Sequence, residues 1–181
     1  MKKVCIIFLL SIIISLTAYG FSSRQVWQSA TQNDTSGYLR IHVRADSNDE
    51  DAQAIKYQVR DGIVEYLTPL VAQYDTKEQA LIGIRQHLSK IEKVAESILC
   101  KNGFAYGATV RLERETFPTR VYGEYTLPAG EYTALIVRLG SGKGDNWWCV
   151  IYPPLCFTAP TGQNVIYKSK IAEIIRRWKN G

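Results

Sequence analysis

The sequence predicts an α+β domain: an antiparallel sheet of about five strands, two long helices packed on one face of it, and a C-terminal helix. Three observations lead there. Apolar residues recur at steps of three and four from Ala52 to Ile98, the spacing that gathers them on one helix face. From Tyr106 the period changes to two, which is the alternation of a strand. Turn signals then divide that region into short runs, as in a meander of antiparallel strands.

The elements follow in order. Met1–Gly20 has Lys2 and Lys3 ahead of an apolar run, Val4–Leu16, and then Ala18-Tyr19-Gly20. A charged start, a short apolar middle and small residues spaced two apart make an export signal. The run is shorter than the roughly 20 residues that span a bilayer. Phe21–Gly37 is polar and without period, the composition of a flexible linker. The domain proper is expected over 38–157, with a basic amphipathic helix in 158–181.

Tyr38–Arg44 alternates strictly, with Leu39, Ile41 and Val43 on one face and Arg40, His42 and Arg44 on the other. It reads as a half-buried strand. Ser47-Asn48-Asp49-Glu50 has the form of a capping box. Ala52, Ile55, Val59, Ile63 and Tyr66 then mark the first helix, with Pro69 near its end. Thr76 to Gln79 repeats the capping signal. Leu81, Ile84, Leu88, Ile91, Ala95 and Ile98 mark the second helix, closed by Asn102-Gly103. Strands are expected from Tyr106, over Arg120–Thr126, Tyr132–Leu139 and Trp147–Tyr152. In the last helix Ile171, Ile174, Ile175 and Trp178 share one side. That side either docks on the core or lies on an anionic membrane surface.

Charge and cysteines bound the function. The chain of 181 residues carries +5, and loss of Lys2 and Lys3 with the signal leaves +3. Lys168, Lys170, Arg176, Arg177 and Lys179 against Glu173 put +4 in the tail, so the body is near −1. No basic stripe crosses the domain, as a nucleic-acid surface would require. Cys149 and Cys156 flank Pro153-Pro154. A bend there can bring them into a disulfide, whereas extended chain would hold them more than about 20 Å apart. Two buried thiols are the other reading. Cys100, at the end of a helical stripe, is expected in the core. No metal or cofactor is expected: His42 and His87 are the only histidines, and neither has ligand spacing.

Catalytic motifs are weak. Gly140, Gly142 and Gly144 alternate around one lysine, but no helix follows as a P-loop needs; a flexible hairpin loop fits better. A thiol or cell-wall hydrolase using Cys149 and His42 is the enzymatic alternative. Against it, the apolar setting of Cys149 favours the neutral thiol. The acidic residues Asp46, Asp49 and Asp51 suit a helix N-terminus better than calcium. What remains is recognition surface: Arg40, His42, Arg44 and Asp46 as one polar patch, and Trp147 and Trp148 as another. Adjacent tryptophans in a strand point to opposite faces, and an outward one is a good interface anchor.

Six runs carry a resemblance: Leu39-Arg-Ile-His-Val-Arg-Ala-Asp-Ser47, Lys56-Tyr-Gln-Val-Arg-Asp61, Phe117-Pro-Thr-Arg-Val-Tyr-Gly123, Leu127-Pro-Ala-Gly-Glu-Tyr132, Gly142-Lys-Gly-Asp-Asn-Trp-Trp-Cys-Val150 and Pro153-Pro-Leu-Cys-Phe157. With them the chain resembles the stage II sporulation protein R family of endospore-forming bacteria. The resemblance implies a non-enzymatic signal, made in the forespore and exported into the space between the two membranes of the sporulating cell. There it would activate a membrane-embedded aspartic protease of the mother cell, which cuts the pro-sequence of a sigma factor. The resemblance supplies no contact residues.

Overall fold

The computed structural model describes residues 37–122, 125–157 and 168–180. The expected export signal, the expected linker up to residue 36 and the segment 158–167 lie outside the described residues. The described residues all belong to one compact unit, Thr35–Gly181.

The chain runs β1 (Leu39–Arg44), α1 (Glu50–Val71), α2 (Lys77–Lys101), β2 (Ala108–Phe117), β3 (Arg120–Tyr122), β4 (Tyr125–Leu127), β5 (Gly130–Leu139) and β6 (Asn146–Tyr152). A 3₁₀ turn, Leu155–Phe157, and α3 (Lys168–Asn180) follow. Four strands form one sheet in the order β2-β5-β1-β6, while β3 and β4 pair only with each other. The class is mixed α and β, as the periods predict. The pairing is not: β1 runs parallel to β5 and antiparallel to β6, so the sheet is mixed rather than an antiparallel meander. The expected strand Arg120–Thr126 is two short strands of a separate hairpin.

Burial accounts for the central place of β1. Leu39 to Val43 are all buried, Arg40 and His42 included. A strand covered on both faces belongs in the middle of a sheet, and β1 takes that place between β5 and β6. The glycine-rich segment 140–145 therefore does not close a hairpin between neighbours. It crosses the end of β1, where Gly144 N–H donates to Ala45 O at 2.9 Å and Ser141 N–H to Asp46 Oδ1 at 2.6 Å. Gly140 has φ +54°, in the left-handed region that glycine occupies without strain.

α1 and α2 cover one face of the sheet. Ile55, Val59, Ile63 and Leu67 of α1, with Ala80, Ile84, Ile91, Ala95 and Leu99 of α2, share a core with Leu39, Ile41, Val43, Leu135 and Val137. Thr76 caps α2, its hydroxyl accepting from Gln79 N–H, while Gln79 Oε1 accepts from Asp75 N–H. The expected capping box at Ser47 does not form. Asp49 occupies the N-cap of α1 without a side-chain cap bond. Ser47 instead donates to Asp49 Oδ2, and Asn48 accepts from Asp145 N–H: the turn is held to the 140–145 crossover, and to its own helix through Gln53 Nε2, which donates to Ser47 O at 2.8 Å. Cys100 is exposed and free, not in the core, because the buried stripe of α2 ends one residue earlier at Leu99.

Ile174 of α3 joins the core, and Trp178 packs edge-on against Tyr38 and tilted against Tyr125. The apolar side of this helix is thus docked on the domain. Among the described residues no helix is long and apolar enough to cross a membrane.

Candidate functional site

The sheet face away from α1 and α2 carries the site. Alternation along β1 sends Arg40, His42 and Arg44 to this face. Their partners across the ladders are Ala134, Ile136 and Arg138 on β5, and Val150, Trp148 and Asn146 on β6. Phe117, Tyr132, Ala134, Ile136 and Val150 form a second, smaller core here. The β3–β4 hairpin closes over it through Tyr122, Tyr125 and Leu127. The charged side of β1 is therefore the inside of a second layer.

Arg40 is fully buried. Its guanidinium carbon lies 4.1 Å from the ring centre of Phe117, 4.9 Å from that of Tyr132 and 5.7 Å from that of Tyr122. Nη2 donates to Tyr122 Oη at 2.6 Å. Nε and Nη1 are buried without a hydrogen bond, and no described carboxylate pairs with the group. Aromatic faces carry negative charge density and attract a cation, so three rings stand where an acid would be expected. Burial lowers the pKa of Arg40 and the nearby Tyr122 and Tyr132 oppose that; an arginine stays charged regardless.

His42 lies between Phe117 and Trp148, with ring centres 5.8 Å and 5.2 Å away. Its Nδ1 is 2.7 Å from Glu115 Oε2. Burial pulls the ring's pKa down to about 4, helped by Arg44, Arg138 and Arg40 and opposed in part by Asn146. Glu115 alone would favour a charged ring, but Arg44 also pairs with that carboxylate and neutralises it. The ring is neutral at pH 7, and because a carboxylate can only accept, the contact with Glu115 requires the proton on Nδ1 and leaves Nε2 its lone pair. That Nε2 is buried and makes no hydrogen bond.

The sequence-derived residues separate. Arg40, His42, Arg44 and Trp148 come together, with Arg120 of the hairpin 4.2 Å above the Trp148 ring. Trp147 points to the helix side, where Arg60 stacks on it at 5.5 Å. Asp46 leaves the patch: its carboxylate and carbonyl bind Ser141 and fasten the crossover. Tyr122 and Tyr132 also belong to the site, and so do Glu115 and Phe117, which were not singled out from the sequence. The available signal was the alternation on β2 that places Glu113 and Glu115 on one face, opposite in sign to the arginines of β1.

Cys149 and Cys156 form a disulfide with Cα atoms 6.0 Å apart. Cys149 pairs in register with Ile41 and lies in the core under the helices, on the opposite side of the sheet from His42. The Cys149–His42 pair of the hydrolase alternative is therefore not assembled. Replacing both cysteines by serine should lower stability by about 2–3 kcal/mol, since a cross-link closing a loop this short still restricts the unfolded chain. Urea unfolding of the double variant against the oxidised protein measures it.

The family described as stage II sporulation protein R matches residues 35–161. The chain belongs to the stage II sporulation protein R family. It is 37% identical over 119 residues to stage II sporulation protein R of Bacillus subtilis (strain 168), an alignment covering 66% of this chain and 53% of that protein. The chain thus aligns with about half the length of this relative. No solved structure matches. Membership ties the chain to sporulation, and the matched residues contain β1 to β6, so the whole Arg40–His42 face lies within the family region.

Proposed function

We propose that this member of the stage II sporulation protein R family is an exported signalling protein that activates a membrane-embedded aspartic protease of the mother cell. It would act from the space between forespore and mother cell, and the protease would then cut a pro-sigma factor. Activation would work by binding: a partner that fits one state of the protease shifts its population toward that state. One observation supports a binding module over a hydrolase. Cys149, the cysteine that the hydrolase reading needs, is locked in a disulfide with Cys156 and lies on the far side of the sheet from His42. Export is supported by the sequence of residues 1–20 and by the disulfide, since such bonds persist in oxidising compartments.

The β3–β4 hairpin is the exposed cover of the site, with Val121 65% exposed and Arg120 stacked on Trp148. In this reading the hairpin is the contact surface. Arg120→Glu should cost about 1 kcal/mol of stability, the worth of one partly exposed stacking contact on Trp148, and should leave the domain folded. It should cut sigma-factor processing several-fold in a sporulating strain carrying only the variant, followed by immunoblot. Normal processing in that strain would remove the hairpin as contact surface. Normal processing in a strain lacking the gene altogether would remove the signalling role itself.

A further inference from the structure

On the opposite layer, α1 and α2 leave a shallow groove of about 460 Å³. Its floor is apolar: Tyr66 of α1 with Val94 and Ile98 of α2, each half-buried against the core. Its rim is basic: Lys90, Lys93 and Lys101, all exposed. Among the described residues none of these lysines has an ion-pair or hydrogen-bond partner, and no carboxylate lines the groove. Glu92, on the same stretch of α2, is turned to the sheet, where it accepts from Val110 N–H at 2.9 Å. The helices approach closely because Gly62 has no side chain where Ile98 packs. The floor is thereby set by core packing.

We propose that this groove binds an acidic, amphipathic segment of a partner protein. Its apolar side would rest on Tyr66, Val94 and Ile98 and its carboxylates would meet the three lysines. Helical segments dock in apolar grooves in this way, and matched charge on the rim sets orientation and partner choice. A bilayer surface fits less well. Lys90, Lys93 and Lys101 are exposed while Tyr66, Val94 and Ile98 are half-buried, so a flat surface meets the lysines first and leaves the floor uncovered. A chain segment can project side chains down to them. The groove and the Arg40–His42 face lie on opposite layers of the domain, so occupancy of one leaves the other open.

The probe is a synthetic amphipathic peptide with leucines on one helical face and glutamates on the other, titrated into the full chain with its disulfide intact. Methyl resonances of Val94 and Ile98 are followed by NMR. The expected result is shifts confined to the groove. Binding should be roughly tenfold or more weaker in the K90E/K93E/K101E variant, with the fold retained, and restored in K90R/K93R/K101R. No shift with the peptide, or equal affinity in the charge-reversed variant, would overturn the proposal. So would a response to phosphatidylglycerol vesicles in place of the peptide, which would make the face a membrane contact. None of these readings depends on what the Arg40–His42 face binds.

Discussion

Arg40→Ala should lower the unfolding free energy by about 2–4 kcal/mol, whereas Arg40→Met should stay within about 1 kcal/mol of the native protein or exceed it. The difference follows from what surrounds the guanidinium. It is wholly buried against Phe117, Tyr132 and Tyr122. Alanine leaves that volume empty, and a cavity in a packed region costs both lost contacts and lost burial. Methionine fills it and needs no charge solvation. Against methionine stand three ring contacts, each worth about 0.5–2 kcal/mol when desolvated, and the Tyr122 hydrogen bond. In favour stands removal of a charge with two unpaired donors, a cost of several kcal/mol for an ion without a partner acid. Chemical denaturation of the three proteins decides it. A fall with methionine as large as with alanine would show that the aromatic cage outweighs the desolvation.

The same pair separates stability from signalling. A methionine variant that folds as well as the native protein but fails to trigger sigma-factor processing would assign the guanidinium to recognition. If it signals normally, Arg40 is a core residue that happens to be charged.

How this site hides in the sequence explains what could be read beforehand and what could not. The helices are legible because their stripes are local: Ile84, Ile91 and Ala95 meet the core from one continuous face. The expected alternation of β1 is also real, since Leu39, Ile41 and Val43 face the helices. The error lay in taking Arg40 and His42 as solvated because they are polar. Their cover comes from far away in the chain: Tyr122 is 82 residues from Arg40 and Glu115 is 73 from His42. Parallel pairing of β1 with β5 is equally non-local. Trp147 and Trp148 fell on opposite faces because a strand's period of two leaves no other choice. Asp46 looked like part of the patch by proximity, yet β1 ends at Arg44, and beyond it alternation no longer dictates direction.

His42 gives the domain a distinct acid sensitivity. Its ring has an ordinary pKa near 6.5 and is brought to about 4 by folding. The unfolded chain then binds the proton more readily than the folded one, so stability falls as pH falls. The contribution is whole above pH 6.5 and is lost progressively toward pH 4, amounting to about 3 kcal/mol. Carboxylates titrate in the lower part of this window too, so the measurement is a difference. Unfolding free energy is followed from pH 7.5 to pH 4 for the native protein and for His42→Phe, whose ring can occupy the slot between Phe117 and Trp148. The native curve should drop more steeply by that amount. If Glu115 instead governed the ring, its pKa would rise on folding and the native protein would gain stability relative to the variant as pH fell below 7. The two outcomes have opposite sign. Burial is the largest cause of the lowered pKa, and Arg44, Arg138 and Arg40 add to it, while Arg44 also pairs with the Glu115 carboxylate that would otherwise favour a charged ring.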